Sequence, residues 1–359
     1  MADEQRDPSV DTLLHTTHEL LQLGLTGRII AERTASGELT RLRRGWYAET
    51  AVLRAASPRT RQLAAMRAAH HATPSGILFG HRSAATAHDL PVWSDWLRAT
   101  GGGAPLPSLE EQLITEQLVP PGFRAARSTF VRYRQGTVPD TDRCTVAGVP
   151  VTSVDRTLFD LARSEPFEVA LACADQHLRR TFRVGPHVDI ARWRNWQAVF
   201  RKRITHAAGM PGIRRVRALA ALADPRADSP LESVSRLRLT QLGIDIEPQF
   251  AVRGERGGTY YVDFWFIDAP FFGECDGKHK YTDPALRGAR SAEEVVVREK
   301  RRHDWITGST GRRGVRWGAA DVMSAATLGA RLAAFGVPVP GTPSERTDPA
   351  TATLLRRLR

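Results

Sequence analysis

The sequence predicts a multidomain α+β chain within the broad α/β class, and three observations carry that expectation. Residues 10–70 read as helices followed by a basic hairpin. Residues 179–217 hold eleven Lys and Arg against the single acid Asp189, with aromatic residues at helical spacing. Residues 226–338 change period in the order helix, three strands, helix, strand. A length of 359 residues also suits two to three domains of about 150 residues each.

Composition narrows the partners. Hydrophobic residues at 42% and charged residues at 25% exclude wholesale disorder. Lys plus Arg (51) exceed Asp plus Glu (39), and a formal charge of +12 favours a polyanion, nucleic acid ahead of an anionic membrane. Cys144, Cys173 and Cys275 are odd in number and far apart, against both a disulfide framework and a Cys-based zinc site. The polar opening has no signal-like apolar run, and no run reaches the ~18 residues of a membrane span, so a cytoplasmic protein is expected.

In the first region, Leu13, Leu14, Leu20, Leu21 and Leu23 give an apolar helical face ending at Gly24. Thr26 caps a second helix with Ile29 and Ile30 inward and Arg28 and Arg33 outward. After the Ser36-Gly37 turn, Leu39 to Tyr47 reads as a hairpin with Arg43-Arg44-Gly45 as a basic tip. This is the layout of a winged helix, in which a helix enters the major groove and the hairpin touches phosphate. Arg28, Arg33, Arg43 and Arg44 are the candidate contacts, and a winged helix used only for protein contacts is the alternative.

Residues 75–222 form a mixed region whose basic segment, 179–217, is helical. Trp193, Trp196 and Phe200 anchor it, and Arg201, Lys202 and Arg203 face either solvent or a phosphate backbone. His81 and His88 lack carboxylates at ligand spacing and are expected to be packed structural residues. Arg156 and Asp160, four apart, suit an ion pair. Residues 339–359 read as a flexible tail.

The segments Gly24-Leu25-Thr26, Arg43-Arg44-Gly45-Trp46-Tyr47, His81-Arg82-Ser83-Ala84-Ala85 and Val151-Thr152-Ser153-Val154-Asp155-Arg156-Thr157 resemble AbiEi-type antitoxins of type IV toxin–antitoxin systems. The resemblance covers roughly residues 10–180. It implies a DNA-binding autorepressor and admits a cognate toxin protein as partner.

In residues 226–338, Ser229 is an N-cap, Pro230 stands at N1 and Glu232 at N3 of a helix. Strands follow at Ile244–Val252, Thr259–Ile267 and Phe271–Asp276, with Gly257-Gly258 as a turn. A helix over 292–307 and a strand at Gly314–Trp317 complete the order. Asp263, Glu274 and Asp276 are acids inside apolar strands, costly unless paired or bound to a cation. Converging across adjacent strands they make a hard-oxygen site suited to Mg²⁺, with Mn²⁺ as a substitute.

Ser229-Pro230-Leu231-Glu232, Val262-Asp263-Phe264, Glu274-Cys275-Asp276-Gly277-Lys278, Lys280-Tyr281 and Glu299-Lys300-Arg301-Arg302-His303-Asp304 resemble the PD-(D/E)XK nuclease superfamily, most closely its Vsr-like branch. The resemblance spans about residues 226–325 and implies a restriction-endonuclease-like domain. It makes Asp263 and Glu274 metal ligands, Asp276 a ligand or close neighbour, and Glu232 an additional acid. Glu232 as a plain capping-box acid is the alternative. The Lys expected two residues after Glu274 is Asp276 instead, which leaves Lys278, Lys280 and Lys300 as replacements and His279 as either a general base or a surface residue. Arg301 lies in a basic cluster with Arg298, Lys300 and Arg302 that either holds phosphate or pairs with Glu293, Glu294 and Glu299.

The expected function is a DNA-binding, Mg²⁺-dependent endonuclease. The alternative is a non-catalytic DNA-binding repressor or antitoxin that keeps the nuclease fold.

Overall fold

The computed structural model describes residues 8–73, 76–94, 97, 108–124, 128–275, 292–341, 351 and 353–355. It is a mixed α and β structure in two compact units, one of Met1–Ser94 and Ala104–Ser164, the other of Asp95–Gly103 and Glu165–Arg359. Among the described residues no helix is long and apolar enough to cross a membrane.

The first unit begins with α1 (Pro8–Asp11), β1 (His15–Thr16), α2 (Thr17–Gln22), α3 (Gly27–Ala35), β2 (Leu39–Arg43) and β3 (Trp46–Glu49). The apolar helix expected from Leu13 to Leu23 is broken. Thr16 forms a capping box with Glu19 that starts α2 afresh, and His15–Thr16 pair with Tyr47 and Trp46 instead. Leu20 is buried, whereas Leu21 and Leu23 are exposed. Thr26 caps α3 as expected and Ile30 is buried. The hairpin turns at Arg44-Gly45, where Gly45 has φ +81°.

Arg43 corrects the sequence reading. It is not on the basic tip but buried, donating to Thr115 Oγ1 (2.7 Å) and to the Phe130 carbonyl (2.9 Å). The register of β2 against β3 shifts between Arg41 and Arg43, and at this irregularity Arg43 turns inward beside the buried Leu42, while Arg44 is exposed.

The unit continues with α4 (Thr50–Ala55), α5 (Pro58–His71), β4 (Leu78–Phe79), α6 (His81–Ala87), α7 (Leu109–Gln112), β5 (Thr115–Val119), β6 (Val131–Gln135), β7 (Arg143–Val146), β8 (Val149–Thr152) and α8 (Val154–Ser164). The five strands order as β6-β5-β4-β8-β7, and α5 packs an almost wholly buried face into the same core. His81 meets Ser164 Oγ at 3.1 Å and His88 meets the Thr152 carbonyl at 2.8 Å. Arg156 pairs with Asp160 at 2.8 Å.

The second unit holds α9 (Phe167–Phe182), β9 (Arg183–Val184), β10 (His187–Val188), α10 (Ile190–His206), α11 (Ile213–Leu222), α12 (Pro230–Gln241), β11 (Ile246–Arg253), β12 (Thr259–Phe266), β13 (Phe271–Cys275), α13 (Ala292–Thr310), β14 (Arg313–Trp317) and α14 (Ala325–Ala334). The basic helical segment belongs to the same compact unit as the C-terminal sheet, and α9, which leads into it, packs on α12. The reason is ionic. Asp175 and Glu168 of α9 are buried against Arg236 (2.6 Å) and Arg238 (2.9 Å) of α12, and a buried charge is tolerated only when paired.

From α12 onward the order is α-β-β-β-α-β, with four strands in sheet order β11-β12-β13-β14. The first three are antiparallel, and β14 returns through α13 to lie parallel to β13. Gly257 and Gly258 make the expected turn at φ +80° and +77°. Gly273 is required by packing, because a Cβ there would stand 2.2 Å from the Trp317 ring. The tail is also corrected at its end: Leu355 is buried and its carbonyl accepts from Gln241 at 2.9 Å.

Candidate functional site

Glu232 enters the site through its cap. Ser229 Oγ accepts the Glu232 N–H at 3.2 Å, and Glu232 Oε2 accepts from the Asp228 backbone at 2.9 Å. The same Oε2 also accepts from Gln249 Nε2 at 3.0 Å, beside Asp263. Burial, reinforced by the Asp263 charge, pushes the Glu232 carboxyl up to about 8.

Gln249 bridges the two acids, with Nε2 also 3.4 Å from Asp263 Oδ1. It reaches that place through an irregular backbone. The β11–β12 ladder pairs Pro248 with Phe264 and Phe250 with Val262, passing over Gln249, whose φ is +52°. Such a conformation costs a non-glycine residue about 1–3 kcal/mol. On the other side, Asp263 Oδ2 accepts the Cys275 backbone N–H at 2.7 Å, just beyond the point where the β12–β13 ladder ends at Phe264 and Gly273. A side chain thus replaces the backbone partner, and the strands part.

Glu274 sits deeper, 5% exposed, and is surrounded by cations. Arg302 of α13 donates to its Oε1 and to the Tyr261 carbonyl. Arg316 Nη2 lies 3.1 Å from Oε2, and His303 Nδ1 stands 3.8 Å away, too far for a hydrogen bond. Burial acts to raise the Glu274 carboxyl, but the Arg302 and Arg316 charges and the Arg302 hydrogen bond outweigh it and bring it down to about 2.

Asp263 and Glu274 line one cavity of about 450 Å³ together with Gln249, Arg183, Arg302 and Arg316. Glu232 stands behind Asp263 rather than on the wall. The cavity therefore joins two kinds of chemistry. One side has the Asp263 carboxylate and the Gln249 amide that links it to Glu232 behind, and the other has guanidiniums suited to a phosphate.

Other expected residues fall elsewhere. Asp276, Lys278, His279 and Lys280 lie outside the described residues. Lys300 is exposed on α13 and does not line the cavity. Arg301 is exposed and bidentate with Glu255, at 2.9 and 2.8 Å, an acid outside the expected set of Glu293, Glu294 and Glu299. Arg28 is exposed beside Glu32 and Arg33 lies 3.8 Å from Glu38. Arg201 and Lys202 are exposed on α10, whereas Arg203 is half-buried; Trp196 and Phe200 anchor the helix beneath them. Elsewhere in the basic segment, Arg179 and Arg183 are held by Asp228, each at 2.9 Å.

Sequence reasoning missed Gln249, Arg183 and Arg316 as parts of the cavity, whereas Arg302 belongs to the basic helix expected just beyond the acids. Alternation along Gly314-Val315-Arg316-Trp317 placed Arg316 on the face opposite Val315 and Trp317, a signal strong enough to have flagged it. Among the described residues, no group of three or more His, Cys, Asp and Glu side chains gathers into a metal-binding cluster. Against known proteins, no family model matches the chain and no curated protein matches it.

Proposed function

We propose that the chain is a DNA-binding protein whose α-β-β-β-α-β portion is a restriction-endonuclease-like domain that hydrolyses a DNA phosphodiester with Mg²⁺ or Mn²⁺. The single observation that carries this reading is the shared cavity of Asp263 and Glu274, walled by Arg183, Arg302 and Arg316. In the first unit, the order α1-β1-α2-α3-β2-β3 supports a winged helix, with Arg28, Arg33 and Arg44 exposed for phosphate.

The donor set fits a divalent ion at Asp263, with Glu232 behind it. Two carboxylates that meet over one amide in a buried place are relieved by a cation. When bound, the ion supplies Lewis-acid stabilisation of phosphate charge and lowers the pKa of water. The chain's own part is electrostatic: Arg302 and Arg316 neutralise a phosphate entering the cavity, in exchange for part of their hold on Glu274. Gln249 orients the Asp263 carboxylate.

A second reading has its own observation. Glu274 is already taken up by Arg302 and Arg316, which suits a non-catalytic DNA-binding repressor or antitoxin, with a toxin protein as further partner. Supercoiled, linear and single-stranded DNA incubated with the full chain and Mg²⁺ or Mn²⁺ separates the two. Cleavage that disappears in Asp263→Ala, together with calorimetric metal binding lost in the same variant, is the expected result. Intact DNA and no metal binding would leave the regulator.

A further inference from the structure

From a second cavity on the helical part of the C-terminal unit, we infer a binding site for a free nucleotide carrying two or more phosphates. The cavity holds about 730 Å³ and lies among α10, α11 and the segment that contains Thr351, Thr353 and Leu354. Its volume is that of a pocket for one small molecule.

The charge comes from helical spacing. Arg201, Ile204 and Thr205 share one face of α10 at i, i+3 and i+4, and Arg214, Arg217 and Ala221 run along one face of α11. Three guanidiniums therefore border one hollow, and among its described lining residues there is no carboxylate to neutralise them. Each guanidinium is a rigid fork that matches phosphate oxygens, so three of them suit a di- or triphosphate better than a single monoanion.

The rest of the lining supplies the other half of a nucleotide's needs. Half-buried Leu354 and exposed Ala221 offer apolar surface to a flat ring, with Ile204 and Ala220 buried beneath them. The phosphates of a single strand share the same chemistry, and the test distinguishes them from a free nucleotide.

Calorimetry on the full chain with ADP, ATP, adenosine, inorganic phosphate and a single-stranded DNA oligonucleotide provides that test. ADP and ATP are expected to bind, with adenosine and phosphate weaker by about tenfold or more. The Arg214→Gln/Arg217→Gln double variant is expected to weaken ADP by about tenfold or more at an unchanged melting temperature, since both arginines are exposed. Ala221→Glu, which adds a carboxylate and removes no arginine, is expected to do the same. The inference is overturned if neither nucleotide binds the unaltered chain, if both variants bind ADP normally, or if phosphate binds as tightly as ADP. It is equally overturned if only the oligonucleotide shows binding that the variants weaken.

Discussion

Arg316 lies directly beside Glu274 in the parallel register of β13 and β14, and its Nη2 is 3.1 Å from the Glu274 carboxylate. The neutralisation of this acid is thus written into strand pairing, with Arg302 added from the crossover helix. Removing both arginines strands a buried charge. Arg302→Ala/Arg316→Ala is expected to lose about 3–5 kcal/mol in urea denaturation, and Glu274→Gln added to it is expected to recover a good part.

Arg43 and Arg44 are adjacent but face opposite ways, so their substitutions are expected to act on different quantities. Arg44→Gln should weaken DNA binding and reduce the slope of log affinity against log salt by about 0.9, the share of one phosphate contact. Arg43→Gln should instead lower the stability of the first unit by about 1–3 kcal/mol, because Thr115 and Phe130 lose a buried donor. Salt-series binding and denaturation on the same two variants check both.

The first unit carries a pH dependence through His88. Burial holds its imidazole below the ordinary value of 6.5, outweighing the opposite pull of the Thr152 carbonyl. The unfolded chain therefore takes up this proton first as pH falls. The His88 contribution is full above about pH 6.5 and diminishes as pH drops through that value. Melting temperature at pH 5.5 against pH 7.5 should fall less in His88→Gln than in the unaltered chain.

Gly273 and Trp317 form a matched pair. Gly273→Ala is expected to cost about 3 kcal/mol or more, since the indole is fully buried and lies 2.2 Å from the new Cβ. Trp317→Leu in the same chain makes room and should recover part of the loss, measured by thermal melting of the single and double variants.

The α-β-β-β-α-β order was legible because each element has its own period and its own stop, such as Ser229-Pro230 before α12 and Gly257-Gly258 between β11 and β12. Asp263 and Glu274 were legible as acids among apolar neighbours, and they do share a cavity. Gln249 was not, because its role comes from a left-handed backbone within a strand, which no side-chain pattern announces. Arg43 was misread because the strand register shifts between Arg41 and Arg43, an irregularity that buries Leu42 and Arg43 together and that simple alternation does not announce. The kinship of residues 166–222 with the sheet was hidden in pairs such as Asp175 and Arg236, 61 residues apart, which local periodicity does not reveal.

That last separation bears on how the chain matures as it is made. Helix α9 leaves the ribosome with Glu168 and Asp175 still lacking the cations that allow them to be buried. Their partners arrive only when Arg236 and Arg238 of α12 have been synthesised, several seconds later at about 5–20 residues per second. During that interval α9 has hydrated carboxylates and no dry place to put them. The second unit is therefore expected to assemble late and in one step, with α12 as the piece that closes it.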